Sequence, residues 1–353
     1  MIPDEYRQLS ESQARDRILR LKAKLGKRLV ILGHHYQRDA VVELADFRGD
    51  SYGLCKEAAE QKDAEFIVFC GVHFMAESAD ILSSPHQIVQ LPDLTAGCPL
   101  ANFADITSVT KAWSEIASIC GTNSVTPITY INSSAEIKAF CGQHGGTVCT
   151  SSNASAAFQW GFNRAEKIFF LPDQHLGTNT GNKLGISAHD RIVWDPEQPM
   201  GGNSREKIKL ARLILWKGHC HIHTWFTLDH IQAVRNTYSE AKVIVHPECF
   251  EEVVNAADDN GSTTYIIKYV NQAKAGTTIA VGTELNLVSR ISRDYPDKKV
   301  FPLARSLCPN MYKINLHNLC WTLENLGKVN IVHVPDAIKS DALSALEQML
   351  HLT

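Results

Sequence analysis

Three side chains that handle protons, His34, His35 and Tyr36, follow directly on Val30, Ile31, Leu32 and Gly33. An apolar run of that kind reads as a fully buried strand of a parallel sheet, with the glycine at its end. The polar rings then fall where an open α/β sheet keeps its ligand crevice, beyond the carboxyl ends of the strands. Histidine titrates near neutrality, so the chemistry open to this stretch is acid–base catalysis. Sulfur supplies a second set of candidates. The chain has 10 cysteines, and no two show the close spacing of a zinc knuckle or a thioredoxin-type pair. Any metal site must therefore be assembled from distant segments.

The elements that would position these groups recur three times. The first set runs LVILGHHYQ, GDSYGLCKEAAE, EFIVFCGVHFMAE and VQLPDLTAGCPLA; the second PITYINSSAEIKAF, TVCTSSNASAAFQWGF, KIFFLPDQHLG and LWKGHCHIHTWF; the third KVIVHPECFEEVVNAA, GSTTYIIKYVNQA, TIAVGTELNLVSRI and KVFPLARSLCPNM. Each is an apolar strand ending in polar residues, a Ser/Thr-rich helix start, a second such strand, and a cysteine after a short apolar segment. The spacings agree: 17 residues from His34 to Ser51, 21 from Tyr130 to Ser151 and 16 from His246 to Ser262. His73 to Cys98 and Thr283 to Cys308 are both 25 residues, whereas Asp173 to Cys220 is 47, which implies an insertion of 22 residues lying within about 177–207. Its Gly, Asn and Pro content predicts an elaborated loop. The expected fold is α/β: three pseudo-threefold-related three-layer α/β/α units with small parallel sheets around a central site. The expected units are residues 1–104, 105–222 and 223–324, with an amphipathic C-terminal helix, 325–353, folded onto the first.

Threefold repetition gives Cys98, Cys220 and Cys308 a common role. If the units pack about one axis with their strand carboxyl ends inward, equivalent positions converge and one thiolate per unit makes a three-sulfur site. Soft sulfur ligands suit zinc or an iron–sulfur cluster. Three protein ligands leave one coordination position open, as in catalytic sites. A four-iron cluster so held keeps one iron as a Lewis acid. The repeats alone do not choose between the metals. Cys55, Cys70, Cys120, Cys141 and Cys320 lie in or near apolar or helical segments and read as small core residues.

The length of 353 residues and 44% hydrophobic content call for two or three domains. A net charge of −3 without a basic block argues against nucleic acid or an anionic membrane as partner. The N-terminus reads as an amphipathic helix rather than a signal peptide, and no apolar run reaches the roughly 20 residues of a membrane span. The expectation is a cytoplasmic protein.

Read in order, the motifs GHHYQ, FRGDS, FCGVHFMAES, LPDLTAGCPLA, YINSSAEIKA, CTSSNA, GHCHIHTWF, VHPEC, GSTTYII, GTELNLVSR and LCPNMYKINLHNL resemble those of the quinolinate synthase family over residues 25 to 325. The resemblance implies a pseudo-threefold chain with a [4Fe-4S] cluster on Cys98, Cys220 and Cys308. It implies condensation of iminoaspartate with dihydroxyacetone phosphate to quinolinate, phosphate and water in NAD biosynthesis, coupled to an enzyme that supplies iminoaspartate. By the same resemblance His34 and Tyr36 stand beside substrate, Ser51 binds it and Met75 walls the pocket. Tyr130, Asn132 and Ser151 hold carboxylate or phosphate, His246 and Glu248 form a binding and acid/base pair, and Ser262 and Thr263 complete the anion-binding set. His35 stands where many members have Asn and carries no role. In PLARSLC, Pro302 and Arg305 replace cysteines that some members carry, so a thiol switch beside Cys308 is not expected.

The chemistry asks for such residues on its own account. Both substrates are anions, yet the pocket motifs are short of Lys and Arg. Hydroxyls and helix N-terminal N–H groups can hold anions. Ser51, Ser151, Ser262 and Thr263 all precede helix-like segments; as plain helix caps they would need no ligand. Ring formation moves protons repeatedly; Glu248, if partial burial raises its pKa, and Tyr36 are the acid/base candidates, with His34 and His246 as the catalytic histidines beside them. A zinc-dependent hydrolase or lyase on the same three cysteines, and a non-catalytic iron–sulfur sensor, are the other classes open to this sequence.

Overall fold

The computed structural model describes residues 2–352. Its first sheet contains β1 (Leu29–His34), β2 (Phe47–Gly49), β3 (Phe66–Cys70) and β4 (Ile88–Gln90). The second contains β5 (Val125–Tyr130), β6 (Thr147–Cys149), β7 (Lys167–Leu171), β8 (Arg191–Trp194) and β9 (Leu213–Trp216). The third contains β10 (Lys242–Val245), β11 (Asp259–Asn260), β12 (Thr278–Gly282) and β13 (Lys299–Pro302). A last strand, β14 (Ile331–Val332), lies antiparallel to β4 at the edge of the first sheet. The chain resolves into two compact units. One runs to Cys98, takes up Glu284–Arg290 and Leu307–Pro335, and holds the first sheet; the other comprises Pro99–Thr283, Ile291–Ser306 and the segment from Asp336, and holds the second and third.

The three sheets share one topology. Their strands lie side by side as β2-β1-β3-β4, β6-β5-β7-β9 and β11-β10-β12-β13, so in each the first strand sits between the second and the third. All of these pairings are parallel. Burial on both faces explains the unbroken apolar runs: every residue of β1, β3, β5 and β7 is buried. Phe69, Phe158, Phe169 and Phe170 are fully inaccessible, each stabilising by about 1.5–3 kcal/mol relative to exposure. Where a strand order reverses between the first and third strands, the loops at their carboxyl ends diverge and leave a crevice. His34 and Tyr130 end the first strand of their sheets, and Tyr36, Asn132, His246 and Glu248 follow it; Met75, Asp173 and Glu284 follow the third. The topology thus repeats the same crevice position three times.

Two features depart from expectation. The helix Gln174–Lys183 follows β7 as His73–Leu82 follows β3 and Leu285–Asp294 follows β12, so it belongs to the repeat. The inserted part lies after it and contains a strand, β8, paired with β9 in the register Arg191↔Leu213, and the helix Arg205–Leu210. The Gly- and Pro-rich surroundings hide the β-forming run RIVW. Second, the C-terminal helix Asp336–His351 does not fold onto the first repeat. It packs on the helix Ala135–Gln143 and on β6, burying Ala342, Ala345, Leu346 and Met349. Gly142 makes the approach possible, since a Cβ there would lie 2.0 Å from the Asp341 carbonyl oxygen. Asn153 Nδ2 donates to the carbonyls of Met349 and Leu352 at 3.1 Å each, satisfying the helix end.

The N-terminal helix Glu11–Leu25 begins with a Ser10–Gln13 capping box, buries Ala14 and Ile18 and packs on the helix Leu316–Glu324. Among the described residues no helix is long and apolar enough to cross a membrane.

Candidate active site

In the first unit, β1 delivers His34 and Tyr36. His34 is buried, its Nδ1 accepts a hydrogen bond from the Tyr36 N–H at 3.1 Å, and the rings meet edge to face with centroids 4.7 Å apart. Arg290 clamps this turn: Nη1 donates to the His35 carbonyl at 2.9 Å, Nη2 to the Gln37 carbonyl at 2.6 Å, and Nε to Asp39 at 2.9 Å. A planar guanidinium serves three differently placed acceptors at once. Asn286 Nδ2 adds a bond to the Tyr36 carbonyl at 3.3 Å. Burial pushes the His35 imidazole down to about 4; Asp50 opposes the shift, and Arg290 and Arg48 add to it.

Ser51 opens the helix Ser51–Glu60, but Asp50 is its cap, with Oδ1 accepting from Gly53 N–H at 2.9 Å. Ser51 is therefore not committed to the N-cap position. Met75 is buried in the helix His73–Leu82; a Cβ on Gly71 would lie 2.9 Å from its sulfur, so glycine leaves room for it.

Cys98 and Cys308 are half-buried cysteines outside any disulfide, each in the segment leaving the fourth strand of a parallel sheet. Cys308 donates its N–H to Glu284 Oε1 at 3.4 Å. Glu284 is buried, which lifts its carboxyl to about 7 against the pull of N–H groups from Asn286, Cys308 and Leu287. Burial raises the Cys308 thiol too, while the N–H groups of Met311 and Asn310 turn toward its sulfur and favour the thiolate.

In the second unit Glu248 is the centre of a buried array. Its Oε1 accepts from the Tyr130 hydroxyl at 2.5 Å, and its Oε2 is 2.8 Å from His223 Nδ1. His223 Nε2 lies 3.1 Å from the Thr283 hydroxyl, and its ring stacks on His246 with centroids 4.2 Å apart and planes 17° from parallel. His246 Nδ1 accepts from the Glu248 N–H at 3.3 Å. Burial and the neighbouring His223 push His246 down to about 3. Glu248 does not have the raised pKa expected of it. Burial acts upward, but His223, His246 and the two side-chain hydrogen bonds outweigh it and hold the carboxyl at about 2. The raised carboxyl of this unit is Asp173, lifted well above the usual range by burial and by the Glu248 charge. Its Oδ1 caps the helix Gln174–Lys183 through the N–H groups of His175 and Leu176 at 2.8 Å, and its buried Oδ2 has no partner among the described residues. Two carboxyl groups pushed in opposite directions are the pattern from which a base and an acid are assigned.

Cys220, half-buried in the segment after β9, offers its sulfur within 4.8 Å of ligand atoms of His223 and Glu248, a grouping that could hold a metal ion. Asn132, beyond β5, has a buried Oδ1 without a partner among the described residues. Ser151 and Ser262 meet across a cavity of about 300 Å³ whose wall includes Pro247, between His246 and Glu248. Ser262 is the N-cap of the helix Thr263–Gln272, accepting from Tyr265 N–H at 3.3 Å, and Thr263 is buried at its first position. Cys249 belongs to the core around Phe226, Val243 and Val253, and Cys141 and Cys149 are equally buried. Burial raises all three thiols, so none is poised as a ligand. Cys120 is less buried than expected and its sulfur faces the Ile208 carbonyl at 3.7 Å.

The family described as Quinolinate synthetase A protein matches residues 16–351. The chain belongs to that family. It is 48% identical to the quinolinate synthase of Lysinibacillus sphaericus, over 99% of this chain and 96% of that one. It is 47% identical to that of Bacillus subtilis, over 100% and 97%, and 52% identical to that of Herpetosiphon aurantiacus, over 99% and 95%. Membership makes the chain an enzyme and agrees with the resemblance seen in the motifs. The structure also brings forward residues to which the sequence reading gives no role: Glu284 and Arg290 in GTELNLVSR, His223 in GHCHIHTWF and Asp173 in LPDQHLG. All four lie inside segments already marked as informative; Asp173 and Glu284 accept from the N–H groups just after them, whereas the partners of His223 and Arg290 are remote along the chain.

Proposed function

We propose that this enzyme is a quinolinate synthase that condenses iminoaspartate with dihydroxyacetone phosphate, releasing phosphate and water, in NAD biosynthesis. The observation that carries the reading is the buried Glu248 carboxylate held between Tyr130 and His223, in a chain that matches the family from end to end. An ionised carboxylate in hydrogen-bond contact with a phenol can take a proton from a substrate carbon or nitrogen and return it to a leaving oxygen. His223 fixes the carboxylate's orientation; in the neutral ring, Nδ1 donates to Glu248 and leaves Nε2 to accept from Thr283. His246, kept neutral by burial, offers a hydrogen bond rather than a charge. Asn132, Ser151, Ser262 and Thr263 supply polar contacts to anionic groups, as do Ser51, His34 and Tyr36 from the first unit, with Met75 as apolar wall.

A [4Fe-4S] cluster would be held by Cys98, Cys220 and Cys308. What supports this is their equivalence: each is a half-buried cysteine outside any disulfide, after the fourth strand of its repeat, and N–H groups turn toward the Cys308 sulfur. The donor set of three thiolates suits iron–sulfur chemistry. When bound, the cluster supplies Lewis acidity toward a departing hydroxyl. The three repeated sheets are read as three copies of one unit, and ten cysteines outside any disulfide suit a reducing cytoplasm.

The test is anaerobic assay of the iron-loaded protein with dihydroxyacetone phosphate and iminoaspartate generated in situ, following quinolinate and phosphate together. Equal release of both is expected. No quinolinate from protein with iron and sulfide in place would move the assignment to a sensor, and zinc in place of iron and sulfide to a hydrolase or lyase.

A further inference from the structure

In each repeat the loop that brings in the cysteine is tied to the start of the helix that follows the third strand. In the first, the His73 N–H donates to the Ala96 carbonyl at 2.8 Å, two residues before Cys98. In the second, the Gln174 N–H donates to the Gly218 carbonyl at 2.9 Å, two residues before Cys220. A Cβ on Gly218 would lie 2.3 Å from the Pro172 carbonyl oxygen, so the two segments meet backbone to backbone. In the second and third repeats a fully buried carboxyl group stands at this junction, Asp173 and Glu284. Asp173 Oδ1 caps its helix through the N–H groups of His175 and Leu176, and the Cys220 N–H joins these two in pulling the carboxyl's pKa down against burial and the Glu248 charge. Glu284 Oε2 accepts from the Asn286 N–H at 2.8 Å, and its Oε1 accepts from the Cys308 N–H at 3.4 Å. A helix cap alone needs no such burial, which is costly for an acid: Asp105 caps the helix Ile106–Cys120 through the Ser108 N–H at 3.0 Å from an exposed position. In the first repeat the equivalent N-cap residue is Val72, which has no side-chain acceptor.

We infer that Asp173 and Glu284 are positioning residues for the ligand cysteines: each binds the start of its own helix and the backbone N–H of the cysteine in its repeat, and so fixes where that thiol stands. The inference rests on the reading of Cys98, Cys220 and Cys308 as ligands. An N–H bond is directional, so engaging the cysteine's own N–H sets the peptide plane from which its side chain leaves. A loop ordered in advance does not have to lose its conformational freedom when the metal centre is built. Partners that orient metal ligands from outside the coordination sphere are worth about 10- to 100-fold in metal affinity. Glu284 reaches further still. Asn286 Nδ2 donates to its Oε1 at 3.0 Å and to the Tyr36 carbonyl at 3.3 Å, so the anchor of Cys308 also supports the Tyr36 turn. Cys98 depends on the backbone bond alone.

Two measurements on the full-length protein test it. Anaerobic release of iron to a chelator should be about 10- to 100-fold faster from Asp173→Ser and Glu284→Ser than from wild type. Serine can still cap either helix, so the loss reads the cysteine contact. Asp173→Asn and Glu284→Gln, which keep one carbonyl oxygen, should recover part of it, and Asp105→Ala, which removes a cap that touches no cysteine, should release iron at the wild-type rate. Amide exchange, followed by peptide mass spectrometry, should quicken around Cys220 in Asp173→Ser and around Cys308 in Glu284→Ser, and stay unchanged around Cys98 in both. Wild-type rates of iron release and exchange in the serine variants, or equally fast release from Asp105→Ala, overturn the inference. If a serine variant does not fold, the amide variants decide: intermediate release supports the anchoring and wild-type release refutes it. Wild-type protein that carries no iron or sulfide would refute the cluster, and the exchange around Cys220 and Cys308 would then decide the anchoring by itself.

Discussion

Glu248 and His223 form a buried hydrogen bond of 2.8 Å, with the Tyr130 hydroxyl on the other carboxylate oxygen at 2.5 Å. Removing one partner leaves a buried charge undercompensated, which costs about 3–5 kcal/mol. His223→Ala is therefore expected to lower kcat by about 100-fold or more, and His223→Asn, whose amide can replace the Nδ1 donor, to restore part of it. Because Tyr130 and His223 serve one carboxylate, Tyr130→Phe and His223→Ala should be non-additive by about 0.5–3 kcal/mol. A double-mutant cycle on kcat and on urea midpoints checks this; strict additivity would mean that the two act separately.

Arg290 predicts a different signature. It touches no candidate substrate group, yet it holds the carbonyls of His35 and Gln37 and the carboxylate of Asp39. Lysine keeps the charge but not the fork, so Arg290→Lys should leave at least one buried carbonyl unpaired, at about 1–3 kcal/mol. The turn carrying His34 and Tyr36 should loosen, seen as faster amide exchange at residues 34–39 and a kcat loss larger than that of an equally destabilising change in the Leu316–Glu324 helix. Unchanged exchange would show that other contacts fix the turn.

The cysteines separate by location. Cys98→Ser, Cys220→Ser and Cys308→Ser should each remove most bound iron and sulfide from anaerobically purified protein. Cys249→Ser and Cys141→Ser should keep both and lose stability instead, since each places a hydroxyl in a fully buried apolar site. Iron retained in any of the first three variants would exclude that thiol as an essential ligand.

What could be read from the sequence was what depends on short-range pattern. The runs LVILGH and KVIV are strands because β-branched residues repeat without polar interruption, and His34 and His246 are marked because they end such runs. Partners remote along the chain leave no such mark. Arg290 meets its acceptors more than 250 residues away. The Glu248 shift runs opposite to the sequence expectation for the same reason: a local motif suggests burial, but it does not reveal the donors from Tyr130 and His223. An amphipathic stripe announced the C-terminal helix without saying which sheet receives it.

His35 gives a pH dependence that the fold imposes on itself. Its imidazole sits at about 4 in the folded protein, below the unfolded value of about 6.5. The neutral ring is thus favoured by the fold, and no stability is lost while the pH stays above 6.5. As the pH falls from there toward 4 the unfolded chain takes up a proton that the folded chain refuses. The loss reaches about 2 kcal/mol at pH 5. His35→Asn removes the titrating group, so its urea midpoint should fall less than that of wild type between pH 7.5 and 5. Parallel falls in the two proteins would assign the acid sensitivity elsewhere.

The docking of the C-terminal helix turns on a single hydrogen atom at Gly142. A methyl group there would be 2.0 Å from the Asp341 carbonyl oxygen, with the Asp341 carbonyl carbon at 2.8 Å. Both are backbone atoms, so no side-chain rotation relieves the clash; the helix must move or detach. Close-packed interiors transmit such a shift, and overpacking of this kind costs about 1–3 kcal/mol or more. Gly142→Ala should therefore expose Ala345, Leu346 and Met349, and limited proteolysis should cut near Pro335 faster than in wild type. Deleting Asn153's contribution with Asn153→Ala removes two bonds to the helix end without a clash, so its effect should be in the same direction and smaller. Slow cleavage of Gly142→Ala at wild-type rates would mean that the two helices can separate enough to admit a methyl group while the core beneath them stays closed.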